Sequence, residues 1–121
     1  MKVQEVKAKM QQEKLLDDRE IWVYATKKSA SIGALGGAVG GAIGAALGAV
    51  ILSVYDNTFY IHKAAMDNSY KECLGTFNIS EMEIVKAKAG LFGGKFVFKC
   101  NGNAYKFDLP SRANKFVEFF R

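Results

Sequence analysis

KFVFKCNGNAYKFDLPSRANKFVEFFR, residues 95–121, is the stretch that decides the fold. Phe96 and Phe98 fall on one side of an extended chain, with Lys95, Val97 and Lys99 on the other, the period of two of a half-buried strand. Asn101-Gly102 follows directly, and both residues tolerate the positive φ of a two-residue hairpin turn. The return strand, AYKFDL, repeats the alternation with Tyr105 and Phe107. Pro110 and Ser111 then open a helix over the last residues, with Ser111 as its N-cap and Phe116, Phe119 and Phe120 as its buried face. An antiparallel hairpin closed by an amphipathic helix predicts an α+β fold.

The upstream sequence adds strands of the same kind. MEIVKAKA (82–89) sets Met82, Ile84 and Val85 against charge, and Gly93-Gly94 turns the chain toward Lys95. Tyr70–Phe77 reads as a further short strand. AVILSVY (49–55), Asp56-Asn57 and TFYIHKA (58–64) read as a hairpin with a two-residue turn. EIWVYATKK (20–28) has strand-like composition and ends in Lys27 and Lys28. Residues 1–18 read as a short polar helix in which Val3, Val6 and Met10 follow helical spacing and Glu5 pairs with Lys9. The apolar stripe is thin, so weak docking is expected. The organisation predicted is a polar helix over 1–19 and one domain over 20–121, interrupted by a glycine-rich segment over 29–52.

That segment is the most unusual feature. SASIGALGGAVGGAIGAALGAVILSV (29–54) has no charge, and seven of the chain's 12 glycines lie between Gly33 and Gly48. Gly36, Gly40, Gly44 and Gly48 recur every four residues, which in a helix places them on one stripe. Such a stripe lets another backbone approach closely, the basis of small-residue helix association in lipid. In water each glycine disfavours helix by roughly 1 kcal/mol relative to alanine. The segment must therefore be covered by lipid, by a sister subunit or by its own domain. As helix its 26 residues would extend about 39 Å, enough for one bilayer crossing and not two. If EIWVYATKK belongs to the domain, both ends lie on one side, and a re-entrant or interfacial hairpin fits better than a span. If residues 1–28 are separate from it, a single crossing becomes possible.

The strand and helix pattern resembles the C-terminal half of a pleckstrin-homology-like domain, and over residues 20–121 the chain looks like small bacterial pleckstrin-homology-like or GRAM-like proteins. ILSVYDNTFYIHK is similar to their second and third strands. ISEMEIVKAKAGLFGGKFVFKCNGNAYKFDL is similar to their later strands. The resemblance implies a bent antiparallel barrel capped by one helix, with a glycine-rich insert after the first strand. It also implies binding rather than catalysis, often at membranes. The phosphoinositide site of eukaryotic relatives requires a basic cluster in the first hairpin loop. This sequence has glycine and alanine there, with only Lys27 and Lys28 at the root.

Composition narrows the chemistry. Two cysteines without CxxC spacing exclude a disulfide framework and a cysteine-built zinc site, and one histidine excludes a histidine metal cluster. AGLFGGK approaches a phosphate loop but starts with alanine and is followed by Phe96, so it reads as a turn. His62 reads as structural, and Asp17-Asp18 and Glu81-x-Glu83 as solvated acids. No cofactor is expected. The net charge of +5 is uneven: residues 1–61 carry seven basic and six acidic groups, residues 62–121 ten and six. Ten charges within residues 1–20 argue against a signal peptide. Lys86, Lys88, Lys95, Lys99 and Lys106 come from strands expected to be neighbours. With Lys27 and Lys28, Lys86, Lys88, Lys95 and Lys99 are candidate contacts to an anionic surface. A version interleaved with Phe98 and Tyr105 for nucleic acid ranks below a plain solvated face.

The favoured expectation is a non-enzymatic, membrane-associated binding module on the cytoplasmic face of the membrane. Its partners are membrane lipid or itself, as a homo-oligomer joined through Gly36, Gly40, Gly44 and Gly48. The alternative is a cytoplasmic, soluble homo-oligomeric interaction protein with the glycine helix packed internally. A small pore-forming protein is the lesser variant of the first.

Overall fold

The computed structural model describes residues 3–27, 49–64 and 70–121. Helix α1 (Val3–Gln12) precedes β1 (Trp22–Lys27), β2 (Ala49–Tyr55), β3 (Thr58–Ala64) and β4 (Tyr70–Asn78). A 3-10 turn (Ile79–Glu81) leads to β5 (Glu83–Lys88), β6 (Gly94–Cys100), β7 (Asn103–Leu109) and helix α2 (Asn114–Phe120). The seven strands form one antiparallel sheet in the order β4-β3-β2-β1-β7-β6-β5. The chain is thus α+β with a C-terminal helix, as expected.

The two ends of the sheet face each other across a phenylalanine core. β1 joins β7 by only two residue pairs, Thr26 with Asp108 and Lys27 with Phe107. Phe59 of β3 lies five strands from β6 through the sheet, counting β3 and β6 themselves, yet its ring stands 5.8 Å from Phe96 and 5.5 Å from Phe98. Phe116 and Phe120 of α2 close on the same ring from the side. The hydrophobic alternation read in β6 and β7 holds: Phe96, Phe98, Tyr105 and Phe107 are all buried in this core. Asp56 and Asn101 take positive φ in their turns, as two-residue hairpins of this hand require.

The opposite face of β1–β3 is covered as well. Val6 and Met10 of α1, with Leu16, pack on Ile51 and are fully or almost fully buried. The expected weak docking of the helix is therefore corrected: two residues one turn apart, plus Leu16 after the helix ends, form a second core. This explains why β2 is apolar without alternation, since Val50, Leu52 and Val54 face the main core while Ile51 faces α1. The helix is shorter than the expected 1–18, because the chain turns after Gln12 to bring Leu16 onto the sheet. Asp17 is not simply solvated. Its carboxylate accepts from Arg19 Nε and from the Asp56 backbone N–H, tying this linker to the β2–β3 turn.

Ser111 is not the cap of α2. The helix begins at Asn114 behind Ala113, without a side-chain cap bond. Ser111 and Arg112 instead form a turn in which Arg112 has φ 61° and donates its N–H to Gly90 O at 2.9 Å. On α2 the deepest residues are Phe116, Val117 and Phe120, and Phe119 is partly buried with the Arg19 guanidinium 5.0 Å from its ring.

β1 sits in the middle of the sheet, between β2 and β7, so Trp22–Lys27 pairs within it rather than standing apart. Thr26 pairs with Ala49, which places both ends of the connection 28–48 on neighbouring strands. Residues 49–52 of the expected glycine segment belong to β2. Lys28, Gly36, Gly40, Gly44 and Gly48 lie outside the described residues.

Candidate functional site

The outward face of β5, β6 and β7 carries the basic residues. Strand register fixes their arrangement: Lys88 lies opposite Lys95, and Lys95 opposite Asp108. One row along, Lys86 and Lys106 flank Val97 from either side. Lys95 Nζ reaches Asp108 Oδ1 at 2.6 Å. Four lysines thus share this face with one carboxylate, and Lys88 lies opposite Lys95, whose charge Asp108 already engages. Two open depressions, of about 490 and 420 Å³, adjoin here and share Lys86, Lys95 and Asp108 in their walls.

The β5–β6 connection projects beside this face. Leu91 is 69 % exposed and Phe92 wholly so, and Val85 is half exposed where a register shift between Ile84 and Lys86 turns it outward. The tip is held firmly despite its exposure. At Gly94 an added Cβ would stand 2.0 Å from the Lys88 carbonyl oxygen, so the two strands close tightly only because that position is glycine. On the other side Gly90 O is bonded to Arg112 N–H, which anchors the connection to the lead of α2. AGLFGGK is therefore a strand-connecting turn, as read.

Of the expected contact residues, Lys86, Lys88 and Lys95 come together with Lys106. Lys27 lies in β1 opposite Phe107. Lys99 is on the same strand face but opposite Glu83, and it lines a separate depression with Glu81 and Glu83. It stands two residues beyond Val97 on β6, next to Glu81 and Glu83 rather than to the other lysines. Phe98 and Tyr105 are buried on the reverse side, which removes the aromatic platform that base stacking would need. Sequence reasoning passed over Leu91 and Phe92. The available signal was two large apolar residues inside a glycine-bounded turn, where polar residues are the norm.

A second polar site lies under α1. His62 is 1 % exposed, and its Nε2 is 2.9 Å from Ser53 Oγ. Burial lowers its pKa to about 4, so the ring is neutral at ordinary pH. The pair is sealed from substrate and reads as structural. Cys73 is exposed and Cys100 buried, both free thiols on strands that are not neighbours. Burial, with Glu81 nearby, pushes the Cys100 thiol up. Among the described residues no group of three or more His, Cys, Asp or Glu could hold a metal ion, and no helix is long and apolar enough to cross a membrane.

Comparison with protein-family models, with curated proteins and with solved structures returns no match to this chain.

Proposed function

We propose that this chain is a non-enzymatic, pleckstrin-homology-like binding module that associates with the cytoplasmic face of a membrane and self-associates through the glycine stripe of Gly36, Gly40, Gly44 and Gly48. The observation that carries the reading is one row of paired residues across five strands: Ala49, Thr26, Asp108, Lys95 and Lys88. The connection that carries the glycine-rich run leaves after Lys27 and rejoins the sheet at Ala49, at one end of that row, and the basic cluster occupies the other. A segment lodged in the bilayer interface as a re-entrant hairpin would hold the lysines near lipid headgroups, where each adds attraction to anionic lipid. The bent barrel of the family is favoured by the two-pair joint between β1 and β7 and by Phe77 of edge strand β4 meeting Tyr105 of β7 at 5.3 Å.

Fractionation of cells expressing the chain tests this. A short glycine-containing turn replaces residues 28–48 in the control, a change the Thr26–Ala49 pairing accommodates. The intact chain is expected in the membrane fraction, released by detergent, and the control in the soluble fraction. A detergent-free soluble oligomer that the replacement breaks apart would instead establish the internally packed, soluble homo-oligomer. A soluble monomer in both forms would overturn both.

A further inference from the structure

We infer that the Leu91-Phe92 tip of the β5–β6 hairpin is a membrane-inserting wedge, with Lys86, Lys88, Lys95 and Lys106 as its anionic-phospholipid contacts. The inference deepens the membrane reading above, on which it rests, by naming the lipid class and a contact separate from the glycine stripe. Phe92 is as exposed as a side chain can be, and Leu91 beside it is mostly exposed. Two adjacent large apolar residues in water are disfavoured unless something covers them. The base of the hairpin is closely packed, since Gly94 permits no side chain against Lys88 O and the Arg112 N–H is bonded to Gly90 O.

The chemistry around the tip selects the occupant. Phe92 and Lys88 border one depression, Val85 and Lys106 the adjoining one, with Lys86, Lys95 and the Asp108 carboxylate bonded to Lys95 common to both, so the lysines outnumber the acid four to one. Phosphate groups would meet the lysines while the Leu91 and Phe92 side chains enter the acyl chains, the arrangement of an interfacial anchor. A protein partner would bury roughly 800 Å² from each side, a wider footprint than a narrow hairpin tip offers, whereas insertion into lipid needs only the tip itself. Nucleic acid would match the charge but finds no aromatic face among these strands to stack on, because Phe98 and Tyr105 are in the core.

The test uses the full chain with vesicles of phosphatidylcholine alone and of phosphatidylcholine with phosphatidylserine. Leu91→Ser with Phe92→Ser should weaken partition onto the anionic vesicles by roughly tenfold or more, and Lys86→Gln with Lys88→Gln should do so by a similar factor that raised salt abolishes. Both pairs are exposed, so folding is unaffected. Phe92→Trp in a Trp22→Phe background should show blue-shifted emission on anionic vesicles, quenched by brominated acyl chains. If the chain binds vesicles but the serine variant binds equally well, or Trp at 92 stays in water, the wedge is overturned while the membrane reading stands. An unquenched Trp at 92 that becomes buried only against an added acidic polypeptide would assign the tip to a protein. No partition of the intact chain onto either vesicle overturns the wedge and the membrane reading together.

Discussion

At the scale of single residues, His62 shows how burial becomes a pH dependence. The folded ring has a pKa of about 4, against about 6.5 in the unfolded chain, and desolvation is the cause. Between those values the unfolded chain takes up the proton and the folded one does not. Stability is therefore full above pH 6.5 and falls as pH drops toward 4, by about 3 kcal/mol at the bottom of that window. Urea midpoints measured from pH 7 to pH 4.5 should decline, and His62→Gln should flatten the decline even if it lowers the midpoint at pH 7. A slope unchanged in the variant would move the effect elsewhere. Asp17 acts in a different window. The Arg19 guanidinium bonded to it holds its carboxyl below the usual range, so its contribution is lost only as pH falls below about 4. Gly94 poses a steric question of the same size. Gly94→Ala would push a methyl group onto the Lys88 carbonyl, a backbone contact with nowhere to yield, and should cost about 2 kcal/mol or more in chemical denaturation.

At the scale of elements, the second core under α1 binds sequence-distant parts together. Met10 is fully buried against Ile51, and His62 lies across the β2–β3 ladder from that same Ile51. Met10→Ala should destabilise by about 2–5 kcal/mol and also raise the pKa of His62 toward 6.5, as water reaches the ring. NMR titration of the imidazole checks the second effect, and an unmoved His62 would show that α1 does not shield it. This element also marks where sequence reading stopped. β6, β7 and their Asn101-Gly102 turn were legible because alternation and turn chemistry are local. The docking of α1 was not, because Val6 and Met10 form a thin stripe and only the fold supplies Ile51 and Leu16 beneath and beside them. The α2 start was misplaced for a related reason: Ser111 is a good N-cap locally, but the chain uses Arg112 to hold Gly90, and the helix begins three residues later. In the candidate site, the lysine face could be read from parity alone, while the placing of Lys99 opposite Glu83 and the projection of Leu91-Phe92 depend on register and on a glycine contact.

At the scale of the molecule, whether the sheet needs the glycine-rich segment decides between the two readings of function. Thr26 and Ala49 are paired neighbours, so a short turn can bridge the gap that the connection 28–48 spans. Closing a loop of 21 residues costs more chain entropy than closing a three-residue turn, by about 1–2 kcal/mol. If the segment serves lipid or a sister chain and packs on nothing in its own domain, replacing it with a short turn should raise the stability of the domain by about that amount. The amides of β1 and β2 should then exchange no faster than before. If the segment is packed internally, as in the soluble homo-oligomer, the same replacement strips apolar surface from whatever it covered, and the domain should lose stability by more than the closure term returns. Denaturation of the intact and shortened chains in detergent-free buffer, with exchange read at Ala25, Val50 and Leu52, therefore separates the two by the sign of one difference. A gain supports the membrane module, and a loss of several kcal/mol with faster exchange along β2 would refute it.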